Sequence, residues 1–307
     1  MGSVEEVSDK PVAYCTLLTN DDYVDGALTL AQSLRSTNTP HPLAVLYTPT
    51  TVSPASLARL RHLFDELIPV DPIHGASPAN LTLIGRPDLH ATLTKMQLWS
   101  LGGRFSRVLY LDADTLALAS LDHLLLARGV LVSGGGGGIF AAAPELGFPD
   151  CFNAGVMLLA PEEGTYRALR AFAATHESFD GGDQGLLNEY FGDGTRGHPA
   201  GKVLPLPGGG VEDGDQADEN RGKGSGGKNW FRLSYTYNIE MHKVFRMYIP
   251  AVLRYREEHK VLHFIGKEKP WHFLDGEIEV PEGASPYFKF YVDMVGKWWD
   301  VRRSVQI

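Results

Sequence analysis

Two carboxylates one residue apart, Asp112 and Asp114, close an apolar run that begins Val108-Leu109-Tyr110-Leu111. Side chains alternate along a strand, so both acids would face one way at the C-terminal end, where open α/β sheets collect their ligands. Such a pair can hold a hard divalent cation whose other positions go to phosphate oxygens, which is what a nucleotide-diphosphate substrate requires. Asp-x-Asp occurs in turns and solvated loops as well, and that plainer reading stays open. A second polar cluster lies at Phe179-Asp180-Gly181-Gly182-Asp183-Gln184-Gly185, a glycine-rich turn opening a helix over residues 185–191. Helix capping accounts for one of its aspartates but not for both beside Gln184, which favours a sugar-binding or charge-stabilising site. Lys95 and Arg86 flank the acidic edge, although spacing alone reads them as solvated surface charges. His263, alone in an apolar run, reads first as a hydrogen-bonded core residue. Residues 134–138, all glycine, make no phosphate loop, because no Gly-Lys-Ser/Thr follows and Ile139 stands where a dinucleotide fingerprint needs its last glycine.

The elements that must position these residues follow from the hydrophobic pattern. Residues 13–19 form an apolar strand running into Asn20-Asp21-Asp22, which suits a turn and a helix cap. Val24, Ala27, Leu28, Ala31 and Leu34 recur at helical spacing until Ser36-Thr37-Asn38 and Pro40 end the segment. A strand over 43–47, a helix behind the Ser53-Pro54 cap and a strand over 67–70 continue the alternation, and a helix around 93–99 leads into the Asp112/Asp114 strand. Residues 151–159 form another buried strand with Asn153 near its start. This order predicts an α/β fold on a mostly parallel central sheet with helices on both faces, in a single domain over residues 11–307 behind a tail over 1–10. Residues 192–228 dissolve into Gly, Pro, Asp and Glu and read as a low-complexity surface insertion. Strands return at 235–239 and 260–266, and the last helix carries Phe288, Tyr291, Val292, Val295, Trp298 and Trp299 on a broad apolar face that either packs in the core or forms a dimer.

With 307 residues, 43% of them hydrophobic, the chain can build a large core, and its formal charge of -9 argues against a nucleic-acid partner. An anionic substrate therefore needs a local cation. Cys15 and Cys151 both lie in apolar strand-like runs and read as buried reduced thiols, which points to a reducing compartment. The start has no apolar signal core, Glu6 occupies the Ser/Thr place of a myristoylation motif, and no stretch of about 18 apolar residues occurs. A soluble, cytoplasmic protein without a membrane partner is expected.

Eight ordered motifs resemble the glycogenins, members of the family 8 glycosyltransferases, over nearly the whole chain. They are Leu18-Thr19-Asn20-Asp21, Leu81-Thr82-Leu83 with Arg86-Pro87, Leu93-Thr94-Lys95, Asp112-Ala113-Asp114-Thr115, Pro149-Asp150-Cys151-Phe152-Asn153, the 179–185 turn, Tyr237-Asn238, and His263-Phe264-Ile265-Gly266 with Lys269-Pro270-Trp271. The resemblance implies a GT-A fold that binds UDP-glucose and manganese. It implies Asp112, Asp114 and His263 as metal ligands, a mixed oxygen and nitrogen set that suits manganese better than magnesium. It places Lys269 and Gly266 on the diphosphate, and Leu17, Thr19, Asn20 and Tyr23 on uracil and ribose. Arg86, Ala113, Asn153, Ala154, Asp180, Asp183 and Gln184 would surround the sugar and diphosphate. Asp183, with Asp180 beside it, would face the developing oxocarbenium charge of a retaining transfer, and Lys95 the charge on the leaving phosphate.

One departure concerns the acceptor. Glycogenins place the first glucose on their own tyrosine, four residues before the proline that here is Pro250, and this chain has Arg246 there. A one-residue shift gives Phe245, and the nearest phenol, Tyr248, is displaced by two residues, about 6–7 Å in a strand, too far for attack at one fixed anomeric carbon. The expectation is an external acceptor, a sugar, a small polyol or another protein, with self-glucosylation at Tyr248 as the alternative. A silent UDP-sugar binder would be expected to lack a matched site residue, and a nicotinamide oxidoreductase lacks its glycine pattern here. The resemblance also implies a homodimer. Glycogen synthase is not expected as a partner, since the sequence ends soon after the last helix without the linker that would engage it.

Overall fold

The structure, a computed structural model, describes residues 10–75, 78–85, 87–127, 140–147, 150–192, 202–203, 230–241 and 249–306. The strands of the main sheet are β1 (Val12–Leu18), β2 (Leu43–Tyr47), β3 (Glu66–Pro69), β4 (Arg107–Leu111), β6 (Phe140–Pro144), β7 (Phe152–Leu159), β8 (Lys202–Val203) and β9 (Phe231–Arg232). Their order is β3-β2-β1-β4-β7-β6-β9-β8, with only the β4·β7 and β6·β7 pairs antiparallel. A small sheet, in the order β10-β11-β5, joins β5 (Thr115–Ala117), β10 (Ile239–Glu240) and β11 (Val261–His263). The helices are α1 (Val24–Arg35), α2 (Pro54–Leu60), α3 (Pro78–Leu83), α4 (Asp122–Leu125), α5 (Glu163–Ala173), α6 (Asp183–Phe191), α7 (Ile249–Arg254) and α8 (Pro286–Arg303). The expected mostly parallel α/β sheet is present.

Strand alternation divides the core. Tyr14 and Leu18 of β1 face one cluster with α1, while Ala13 and Cys15 face another with Met96, Trp99, Leu169 and Leu187. A third cluster joins Leu116, Ile239 and Leu262 of the small sheet to Phe290, Val295 and Trp298 of α8, so that helix spends its apolar face inside the chain. Cys15 and Cys151 are both buried and outside any disulfide, as read. The caps fall where the sequence puts them: Asn20 Oδ1 accepts the Asp22 N–H (3.0 Å), and Ser53 Oγ that of Ser56 (3.2 Å). No helix among the described residues is long and apolar enough to cross a membrane.

Three local expectations change. Residues 235–237, expected to open a strand, form a 3-10 helix, and β10 keeps only Ile239–Glu240. The segment before β4 is a 3-10 helix, Pro87–Gly103. The acidic tripeptide does not extend a strand either. β4 stops at Leu111 and the chain turns through Asp112-Ala113-Asp114 before β5 leaves for the small sheet. The turn is tied on both sides, since Asp112 N–H donates to Gly155 O (2.8 Å) and Asp114 O accepts Phe264 N–H (2.9 Å). The two acids are brought together by a turn at the junction of two sheets.

Most of the 192–228 insertion, the glycine run at 134–138, the tail over 1–9, Arg86, and the 245–248 segment with Phe245, Arg246 and Tyr248 lie outside the described residues.

Candidate active site

β11 runs antiparallel to β5 with His263 opposite Thr115, which lays the imidazole over the acidic turn. His263 Nε2 lies 3.3 Å from Asp114 Oδ1 and 3.8 Å from Asp112 Oδ2. Its Nδ1 lies 2.9 Å from Asn238 Oδ1, which accepts only, so Nδ1 carries a proton and Nε2 is the atom that faces the carboxylates. Only a proton or a cation between them makes that arrangement favourable. One ligand atom from each of Asp112, Asp114 and His263 lies within 4.8 Å of the others, and two carboxylates with a neutral imidazole fit a divalent ion. Gly155 makes room for the ring, because a Cβ there would stand 2.3 Å from His263 Cε1.

Lys95 comes from the 3-10 segment and is buried, against the surface reading. Its Nζ donates to Ala154 O (3.1 Å) and forms ion pairs with Asp183 Oδ2 at 2.5 Å and Asp112 Oδ1 at 3.0 Å, so three oxygens surround the ammonium. Burial works against the Lys95 charge, but Asp112 and Asp183 outweigh it and the ammonium is held well above its ordinary range. Burial pushes the Asp183 carboxyl up, and Lys95 offsets this only in part. Tyr110, two residues before Asp112, donates its hydroxyl to Asp112 Oδ1 (2.5 Å).

Lys269 lies on the opposite side. Its Nζ donates to Asp114 Oδ2 (2.5 Å) and to Phe264 O (2.8 Å), and sits 5.4 Å from the centre of the Tyr23 ring. Burial opposes ionisation of Asp114, yet Lys269 and His263 hold its carboxyl well below the usual range. Tyr23 packs edge-on against Trp271 at 5.6 Å. Gly266, between His263 and Lys269, has φ 94°, a left-handed backbone that favours glycine. Gly26 lets α1 approach the acidic turn, since a Cβ there would meet Ala113 O at 2.5 Å.

The remaining expected residues divide. Asn153 Oδ1 accepts the Gly155 N–H (2.8 Å) and Gln184 Oε1 that of Ala154 (3.2 Å), so both amides brace the strand beside Lys95. Asp180 Oδ1 accepts from Ser178 Oγ (2.7 Å) and from the N–H groups of Gly182 (2.9 Å) and Gly185 (3.0 Å), which commits that oxygen to the turn that presents Asp183. Thr19 and Asn20 lie at the end of β1 with local partners, Thr19 O accepting from Thr48 Oγ1 (3.2 Å), and Leu17 is half-buried against the second core cluster. Sequence reasoning gave no role to Glu145, Asn238, Tyr110 or Gly155. Of these, Asn238 was legible in the Tyr-Asn motif and Gly155 in Asn153-Ala154-Gly155, whereas Glu145 carries no local signal.

The family model for glycosyl transferase family 8 matches residues 14–127 and 142–275. Glycogenin-1 of Oryctolagus cuniculus is 35% identical over 292 residues, which cover 94% of this chain and 74% of that protein. Glycogenin of Neurospora crassa is 36% identical over 288 residues, again 94% of this chain but 34% of that longer protein. Among solved structures, the galactosyltransferase LgtC in complex with donor and acceptor sugar analogs superposes with a TM-score of 0.50 at 17% identity, over 93% of this chain and 95% of that one. The apo form of the glycosyltransferase GlyE of Streptococcus pneumoniae TIGR4 gives 0.51 at 17% identity, over 96% and 64%. These structures share the GT-A fold with this chain. A family model matched along most of its length, together with a relative 35% identical of which it spans 74%, makes the chain a member of glycosyl transferase family 8.

Proposed function

We propose that this chain is a metal-dependent retaining glycosyltransferase that takes glucose from UDP-glucose and gives it to an external acceptor. The observation that carries the reading is the shared edge on which Asp112, Asp114 and His263 meet the buried Lys95–Asp183 pair. A divalent cation held by the first three, with manganese the metal suited to that set, would neutralise the donor diphosphate. Lys269 stands beside that position as a fixed cation for phosphate oxygens, and the Gly266 backbone allows close approach. Tyr23 and the end of β1 offer a ring and strand-end polar groups for the base and ribose. Asp183 supplies the carboxylate beside the anomeric carbon, Lys95 keeps it oriented, and Asp180 fixes the turn that carries it. Lys95 can act on the leaving phosphate as well only by exchanging one of its three present partners.

The resemblance to the glycogenins keeps one alternative in view, transfer to the chain's own Tyr248. Intact mass after incubation with UDP-glucose and manganese separates the two. An unmodified chain that releases UDP and glucosylates an added sugar or polyol supports an external acceptor. Successive hexose increments that vanish in Tyr248→Phe overturn it, and failure to turn over UDP-glucose with or without metal overturns the enzyme reading itself.

A further inference from the structure

Glu145 follows β6 and is 8% exposed, a buried carboxylate that none of the roles above uses. Its Oε2 accepts from Asn153 Nδ2 (3.1 Å) and Gln184 Nε2 (3.0 Å), and its Oε1 from the Gly147 N–H (3.3 Å). An ionised carboxylate only accepts, so both amides must turn their NH2 groups toward it and their oxygens away. Those oxygens take the N–H groups of Gly155 and Ala154. The carbonyls of the same two residues reach the charged site, Gly155 O through the Asp112 N–H (2.8 Å) and Ala154 O through Lys95 Nζ (3.1 Å). One acid therefore sets two amides, two peptide units, and through them the acidic turn and the lysine that holds Asp183.

We propose that Glu145 is a positioning residue for the transfer reaction, acting through Asn153, Gln184 and the Ala154-Gly155 backbone. The proposal rests on the glycosyltransferase reading, and its chemistry is that of an outer hydrogen-bond acceptor fixing the groups that meet the substrate.

The test pairs two substitutions with a control. Glu145→Met keeps length and removes both acceptor oxygens, whereas Glu145→Gln retains one oxygen that can receive both amides. Glu145→Met should lower kcat for transfer from UDP-glucose at least about tenfold with donor KM changed less than about threefold, and Glu145→Gln should recover most of that loss. The control is Thr39→Val, because buried Thr39 donates to Asp122 Oδ1 (2.6 Å) and accepts the His41 N–H (3.2 Å), bonds that include no member of the Glu145 network. It should lower Tm and leave kcat near wild type. Wild-type kcat in Glu145→Met overturns the proposal, as does a loss in both Glu145 variants that merely follows Tm. If the wild type turns over no donor, the enzyme reading fails, and side-chain amide NMR still decides the positioning. The Asn153 and Gln184 NH2 protons should exchange slowly in wild type, fast in Glu145→Met and slowly again in Glu145→Gln, and equal exchange in all three overturns it.

Discussion

Lys95 and Lys269 are 5% and 3% exposed, and each closes on one aspartate of the same tripeptide, yet the two clusters are built differently. Lys95 is surrounded by two carboxylates and a carbonyl, so that side of the turn carries more negative than positive charge. Lys269 meets a single carboxylate and shares it with an imidazole whose other nitrogen is locked by Asn238. The first cluster fixes side chains against one another, and the second keeps oxygen and nitrogen atoms pointed at one place. A single turn thus supplies a structural ion pair on one side and a ligand set on the other. If that division is right, the two sides should fail differently when each is cut.

The largest effect should come from Asp114→Ala, with transfer falling by about 10³ or more as a charged ligand is lost. A ligand merely presented at the C-terminal end of a strand would be lost without harm to the fold. Asp114 is in fact buried against Lys269, so a stranded ammonium should cost about 3–5 kcal/mol in urea unfolding. Adding Lys269→Met should return most of the stability and none of the activity. Recovery of turnover in the double variant would end the ligand assignment.

Lys95→Met should reduce kcat by about 10²–10³, the scale of removing one preorganised electrostatic partner, while Mn2+ affinity measured by titration stays within about threefold. Loss of metal binding in this variant would show that the two clusters work as one unit. Gly155→Ala should act chiefly on the metal side, because its Cβ would lie 2.3 Å from His263 Cε1 and the imidazole must move, while Asn153 Oδ1 at 2.9 Å is crowded less. A fall of about 10–100-fold in Mn2+ affinity is expected, and unchanged affinity would show that His263 is dispensable.

The sequence carried the sheet well and the site unevenly. Apolar periodicity is local, so β1, α1, β2 and the caps at Asn20 and Ser53 could be read directly. The acidic tripeptide misled because Leu109-Tyr110-Leu111-Asp112 continues a strand pattern, and nothing nearby announces that Phe264 and Gly155 will pull the next residues into a turn. Lys95 looked like a surface charge for the same reason, since its partners Asp112 and Asp183 are distant in sequence and its burial is a tertiary fact. Only the joint occurrence of eight motifs in order brought these residues together. Glu145 stayed invisible because partners such as Asn153 and Gln184 are meaningful only once β6, β7 and α6 are assembled.

The smallest expected effect sharpens the comparison from outside the site. His259 is 4% exposed beneath α8, its ring edge-on to Phe290 at 6.3 Å, and its Nε2 has no hydrogen-bond partner among the described residues. Burial lowers its pKa to about 4, with Lys297 acting in the same direction and Glu257 against it. The unfolded chain takes up a proton near pH 6.5 and the folded chain does not until about pH 4. Between those values the unfolded state binds more protons, so stability is fully present above about pH 6.5 and declines as pH falls toward 4. The decline assigned to this one group is about 2 kcal/mol, less than full titration allows because the buried ring can relax toward water. Carboxylates titrate at the lower end of the same range, so the quantity to measure is the difference between wild type and His259→Phe in urea unfolding at pH 7.0, 5.5 and 4.5. Wild type should lose about 2 kcal/mol more than the variant over that interval. Parallel curves would mean that His259 keeps its charge when buried, as Lys95 and Lys269 do, and that pairing is not what separates the charges of the site from those of the core.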